Sequence, residues 1–263
     1  MKWAFYTFIA VSFILTASFA SVAAIEELLL YFPFDEGKGK EVEDLGPHKF
    51  KAELKGDVKW ANGKYGKALE FGGPASNAYV DVGYHKELEG DREHITVVTW
   101  IYPNSWRPPG IGGCTQVWGF GVHGGCGGRV QHGMFWEGGA LKIRFEAEAG
   151  RLDVPGTVPD EKKWTHVAVT YNEGEGKIYL DGKLDKEGKI SGPLKASNEP
   201  LFIAADCERV PQYIFDGVID EFAILGKVLD EGEIKKLMEG IGKALAVQLH
   251  GKLATAWGKI KSE

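Results

Sequence analysis

Cysteine is scarce, with three in 263 residues. That is too few for a dense disulfide framework, so any fold this chain adopts rests on a buried core. A basic excess is missing too. Lys and Arg number 31 against 37 Asp and Glu, a formal charge of −6. This leaves no electrostatic footprint for nucleic acid or for an anionic membrane. There is no solenoid-type repeat and no low-complexity tract. Helical periodicity is confined to one stretch near the C-terminus. The remaining composition, 44% apolar and 26% charged, is that of a globular chain with a sizeable core.

The first segment reads as an address. Met1–Ala24 carries Lys2, an apolar run from Trp3 to about Leu15, and then small residues. Both Ser18-Phe19-Ala20 and Val22-Ala23-Ala24 suit a signal peptidase. The expectation is a signal peptide ending at Ala24 and an extracytoplasmic protein with no membrane insertion after cleavage. The run is short for a spanning helix, and Glu26 and Glu27 follow it at once. An uncleaved anchor is the alternative. In an oxidising compartment Cys114 and Cys126 are expected to form a disulfide across one long loop, leaving Cys207 unpaired, although Cys207 could pair with either. Cys114, His123, Cys126 and His132 could also be written as zinc ligands, but their spacing fits no standard finger.

From Leu28 onward the sequence is a run of strands. Trp164–Tyr171 is dense in β-formers and puts Thr165, Val167, Val169 and Tyr171 on one face. A five-residue turn, Asn172–Gly176, leads to Lys177–Leu180, and Asp181-Gly182 then signals a two-residue hairpin. Leu28–Phe34, Ala68–Phe71, Tyr79–Val82, Gln116–Gly121, Gly133–Trp136, Leu201–Ala205 and Val218–Leu225 read as further strands. Ile95–Tyr102 is apolar on both faces and belongs mid-sheet. In Leu141–Phe145, Leu141, Ile143 and Phe145 point inward, and Lys142, Arg144 and Glu146 outward. One helix is signalled. Asp230 and Glu233 form a capping box, Leu229 and Ile234 a hydrophobic staple, and Ile234, Leu237, Met238 and Ile241 one apolar face. The organisation expected is a signal peptide (1–24), one domain (25–242) and a tail (243–263).

Five stretches in order resemble the laminin-G-like, concanavalin A-like jelly-roll superfamily. They are FDEGKG (Phe34–Lys40 region), GKALEF with YVDVG (Gly66–Gly83), ITVVTWIYP, KWTHVAVTY with GKIYLDGK, and GVIDEFAILGKVLDEGEIKKL. The resemblance implies an all-β fold, a two-sheet antiparallel sandwich with one short C-terminal helix. It leaves activity open, because the fold carries lectins, adhesion modules and glycoside hydrolases.

A glycosidase needs two carboxylates flanking one bond. Glucanases of this superfamily present them as E-x-D-x-x-E or E-x-D-x-E. Here Glu146-Ala147-Glu148 lacks the Asp and the third acid. Asp220 and Glu221 are adjacent and, on a regular strand, point to opposite faces. A non-catalytic module is therefore expected. A sugar site needs flat apolar rings and planar polar groups. The segment from Pro103 to Trp136 holds Trp106, Arg107, Trp118, His123, Arg129, His132 and Trp136, and Arg144 is added as a groove residue. Trp106, between Pro-Asn-Ser and Arg-Pro-Pro, is the ring expected to be exposed; Trp118 and Trp136 could equally fill the core. Trp60, Trp100 and Trp164 read as core, His166 as structural, and His48 and His85 as carrying no constellation. The resemblance also implies a structural Ca²⁺ held by Asp35 or Glu36, Asp44 and Asp220, with a backbone hydrogen bond in the turn after Phe34 as the other use of Asp220. The expected partner is a glycan or a glycosylated extracellular molecule. The alternatives are a protein–protein adhesion or envelope-assembly module and, further off, a divergent glycoside hydrolase.

Overall fold

A computed structural model describes residues 27–89, 91–110, 113–120, 131–197, 199–205 and 213–244. Its strands are β1 Leu28–Phe32, β2 Glu41–Glu43, β3 Lys51–Lys55, β4 Lys59–Asn62, β5 Lys67–Gly72 and β6 Tyr79–Gly83. Then come β7 His94–Ser105, β8 Cys114–Phe120, β9 His132–Glu137, β10 Ala140–Ala147 and β11 Gly150–Gly156. The last are β12 Thr165–Asn172, β13 Glu175–Leu180, β14 Lys183–Lys189, β15 Leu201–Ile203 and β16 Asp216–Leu225, followed by helix α1, Glu231–Leu237. They make two antiparallel sheets. The first runs β14-β13-β12-β7-β16-β5-β4, with β1 also paired to β16; the second runs β11-β10-β9-β8-β15-β6-β3-β2. Phe32, Phe71, Val97, Trp118, Phe145 and Phe222 interlock between the sheets in one core. This is the sandwich that alternation and turn spacing predict.

β7 lies between β12 and β16, which is why ITVVTWIY is apolar on both faces. Ile95, Val97 and Ile101 enter the core, and Val98 faces the opposite side under α1. Asp181 (φ 47°) and Gly182 (φ 72°) both take left-handed angles and join β13 to β14, as Asp-Gly predicts. The preceding connection is tighter than its expected five residues. Asn172 pairs with Glu175, so only Glu173 and Gly174 turn, and both again have positive φ. β5 and β6 do not form a hairpin across Gly72-Gly73-Pro74; they belong to different sheets, and a 3₁₀ turn at Pro74–Ser76 carries the chain across.

The capping box holds as expected. The Asp230 carboxylate accepts from Glu233 N at 2.8 Å, and Glu233 accepts from Asp230 N at 3.1 Å. Leu229, Ile234, Leu237 and Ile241 bury their side chains on the outer face of the first sheet with Leu28, Tyr31 and Val98. The tail from residue 245 lies outside the described residues.

A bulge in β16 overturns one expectation. Asp220 is opposite Trp100 and Ala223 opposite Val98, so β16 has one residue more than β7 over this stretch. Glu221 absorbs the mismatch at φ 54°. Ile219, Phe222 and Ile224 still face the core. Asp220 and Glu221, adjacent in sequence, are both turned to the outer side. The bulge falls between the stretch of β16 that pairs with β5 and the stretch that pairs with β1.

Candidate functional site

The length of the paired strands β8 and β9 separates the residues expected to cluster between Pro103 and Trp136, with Trp136 opposite Thr115 at one end and His132 opposite Phe120 at the other. Trp106, Arg107 and Trp136 gather at one end, and His132 at the other, beside Phe120 at the far end of β8. His123, Arg129 and Cys126 lie outside the described residues, so the Cys114–Cys126 pairing falls there too.

At the Trp106 end the aromatic groups are used up. Trp106 is 4% exposed, contrary to its expected display. Its Nε1–H donates to Pro159 O at 2.8 Å, its backbone N–H to Glu161 Oε1 at 2.8 Å, and its ring packs on Phe215 at 5.7 Å. Thr115 Oγ1 donates to its carbonyl at 3.0 Å. A ring flanked by prolines was tied down by groups distant in sequence, which local reading does not see. Trp118 and Trp136 are core residues as well; only Arg107 is exposed, with its guanidinium 5.1 Å above the Trp136 ring. Arg144 does point outward, yet it is buried. It forms a two-pronged ion pair with Asp153 (2.7 and 3.0 Å) and covers the Phe135 ring at 4.8 Å.

The opposite end is open. Between the sheets lies a depression with about 390 Å³ of empty space, mouth included. Trp118, Phe120, Phe145, Leu88 and Leu194 wall it, and Glu89, Arg92, Lys195 and Ser197 bring polar groups to it. Its apolar lining is closely packed, with Trp118, Phe120, Phe145, Leu88 and Leu194 each 5% exposed or less. Ser197 is 4% exposed and its Oγ has no hydrogen-bond partner among the described residues. Arg92 donates to Leu194 O at 3.4 Å and sits 3.8 Å from Glu148. Lys195 is exposed. His132 is part of the wall, with both nitrogens used. Nε2–H donates to Lys195 O at 3.0 Å, and Nδ1 accepts from Glu146 N at 3.3 Å. Burial lowers its pKa to about 4, so the ring is neutral at neutral pH.

Beside this pocket is a feature the sequence did not announce. The β3–β6 register, Glu53 opposite Asp81, brings Phe50 and Tyr84-His85 out at this same end, where Gly83 is aligned through Leu201 with Phe120. There the Phe50 ring stacks against His85 (3.8 Å between centroids) and against His48 (5.1 Å). The two histidines were read as having no constellation. They are 37 residues apart in sequence, and only the pairing of β3 with β6 brings them together.

The four expected calcium ligands do not converge. Among the described residues no three metal-ligating side chains come together. Glu36 accepts from Glu43 N and Asp35 from Lys67 N. Asp44, 1% exposed, accepts from Tyr31 N (2.8 Å), Gly46 N (2.6 Å) and Phe50 N (3.4 Å), fixing the loop that carries His48 and Phe50. Asp220 accepts from Tyr65 N at 2.9 Å through Oδ2, and not from the turn after Phe34; its Oδ1 has no partner among the described residues. Burial, with Glu221 and Asp35 nearby, raises its pKa to about 7. Glu221 accepts one hydrogen bond at each oxygen, from Tyr31 OH (2.7 Å) and Ile241 N (2.6 Å), with burial raising its pKa as well. His166, expected to be structural, is fully buried beside Trp100 at 5.2 Å, and burial lowers its pKa to about 3.

Comparison with known proteins agrees with this architecture. The binding domain of Paraclostridial Mosquitocidal Protein 1 superposes with a TM-score of 0.62 at 16% identity, over 80% of this chain and 51% of that one. The binding domain of botulinum neurotoxin DC, solved in complex with SialylT, gives 0.62 at 16% identity, over 81% and 51%. The chain thus spans about half the length of these toxin domains. Domain 4 of AbnA, an extracellular arabinanase from Geobacillus stearothermophilus, solved in complex with arabinotriose, gives 0.56 at 18% identity, over 80% and 98%. No curated protein sequence matches the chain. A family model does match residues 74–235, more than half of it, and by that match the chain belongs to the concanavalin A-like lectin/glucanases superfamily, in its Laminin_G_3 branch.

Proposed function

We propose that this protein is an exported, non-catalytic carbohydrate-binding module whose site is the depression at the His132 end. The observation that carries the reading is the pocket's make-up. Apolar and aromatic walls meet a rim where Arg92, Lys195 and Glu89 supply donors and acceptors, and the buried Ser197 hydroxyl, with no partner among the described residues, lines the interior. That combination suits a polyol with an apolar face. The solved relatives in complex with SialylT and arabinotriose support a glycan as the ligand class. A non-catalytic role is supported by the state of the acids. Asp220 and Glu221 share a face but are 0% and 4% exposed, and Glu221 already accepts two hydrogen bonds. Of the carboxylates expected to hold calcium, Asp220 and Asp35 lie near each other, and among the described residues no third ligand joins them.

A glycan array probed with the full chain, with calcium and with chelator, tests this reading. Binding that disappears in Arg92→Ala and Ser197→Phe, with melting temperature retained, supports it. A blank array from well-folded protein removes it. Loss of binding in chelator, restored by calcium and absent in Asp220→Asn, would add the metal.

A further inference from the structure

The apolar walls of the pocket are packed closely, with Leu88, Trp118, Phe120, Phe145 and Leu194 all 5% exposed or less, so most of any glycan bound there extends outside, across the rim. The rim on one side is formed by the 3₁₀ turn Lys86–Glu89, which contributes Leu88 and Glu89 to the pocket. Immediately before that turn stand Tyr84 and His85. Tyr84 is 45% exposed, one of three large apolar side chains so displayed among the described residues. Its hydroxyl donates to Glu89 Oε1 at 3.4 Å, linking it to the pocket's own rim. His85 continues the surface into the Phe50 and His48 rings.

We infer that the ring stack His48–Phe50–His85, together with Tyr84, is a second subsite, which holds the following units of an oligosaccharide chain whose terminal unit seats a substituent in the pocket. The inference rests on the carbohydrate reading and specifies the ligand as a chain of two or more units. Phe50 and His85 are half-buried and stacked on each other, so the exposed Tyr84 and His48 rings present the flat surfaces on which sugar units stack, with Phe50 packed against His48. The stack is also rigid, and rigidity limits the ordering cost of binding. His85 Nε2 is held at 3.0 Å from Val82 O, and the Phe50 N–H is drawn to Asp44 in a loop closed by two further hydrogen bonds to that carboxylate.

The experiment is titration calorimetry of the full chain with arabinose and glucose, and with arabino- and cello-oligosaccharides of two to six units. Any series that the array shows to bind is added. In the native chain affinity is expected to rise about tenfold or more from one unit to three. In Tyr84→Ala and His48→Ala, both at exposed positions, that rise is expected to vanish while the single-unit affinity stays within about twofold. Tyr84→Phe, which keeps the ring, is expected to retain it. A chain-length gain that survives both alanine substitutions overturns the second subsite, as does binding with no gain at all. In either case the pocket reading still stands. If no sugar of any length binds a folded protein, the carbohydrate reading itself fails and takes the subsite with it.

Discussion

The two ends of the sandwich differ in what their aromatic residues do. At one end Trp106 has its indole N–H, backbone N–H and carbonyl all engaged, and Arg107 lies over Trp136. At the other, Phe120 and Phe145 line an open depression, and Tyr84 shows 45% of its surface. The end richer in tryptophan is closed, and the end with smaller rings is open. Aromatic content does not mark a binding surface. What marks it is an exposed ring, Tyr84, beside a depression with polar side chains at its rim.

The largest effect that would probe this contrast is Trp106→Ala, expected to cost about 3–5 kcal/mol of stability as a large core truncation. Urea denaturation measures it. The folded fraction should still bind sugar with unchanged affinity, and a selective loss of binding would place the site at the wrong end. Next is pH. His132 has a folded pKa of about 4, below its unfolded value, so unfolding takes up a proton as pH falls. Stability should drop from about pH 6.5 to about pH 4 by up to roughly 3 kcal/mol, then level off. His166, on the outer face, adds a loss of the same sign. Asp220 opposes them. Its pKa is raised to about 7, so its cost is full above that value and relieved as pH falls toward the unfolded carboxyl pKa. Denaturation midpoints of His132→Gln and Asp220→Asn across pH 4–8 should therefore shift the profile in opposite directions.

A smaller effect is expected from Asp44→Ala, about 1–3 kcal/mol for three backbone donors left without their acceptor. Hydrogen exchange should rise at Gly46 and Phe50, and the chain-length gain should fall with it. Exchange confined to the opposite end would break the link between Asp44 and the ring stack. The smallest is Lys195→Ala, within about 0.5 kcal/mol in stability for an exposed side chain, yet weakening sugar binding several-fold in calorimetry.

Much of the fold was legible because its signals are local. Asp181-Gly182 fixes a turn by backbone angle, and Asp230 with Glu233 caps a helix within one turn. Strand β7 announces a central position by being apolar on both faces. Strands β2, β3 and β11 were missed because their sequences, such as KAELK, are half polar: β2 and β11 are sheet edges and β3 lies one place in from β2, each with one wet face. The edge strand β14, KLDKEGK, was announced only by the Asp-Gly turn before it. The candidate site was much less legible. Trp106 looks exposed from its neighbours and is buried by Pro159, Glu161 and Phe215. His48 and His85 look isolated and share one phenyl ring. Asp44 looks like a metal ligand because its three backbone donors are ordinary N–H groups, which no side-chain pattern reveals. The β16 bulge escapes for the same reason, since VIDEFAIL alternates well enough to pass for a regular strand.

The pairing of β1 with β16 has a kinetic consequence. Tyr31 and Glu221, which bond across that seam, are 190 residues apart, and nearly the whole domain must be present before the first strand finds its neighbour. Such a contact is slow to close. As the polypeptide is made, Leu28–Phe32 emerges early as an apolar segment with bare backbone edges and waits for the last strand. Its safety in that interval depends on a holding chaperone or on fast completion, and a chain cut short before Asp216 would leave that segment permanently unmatched.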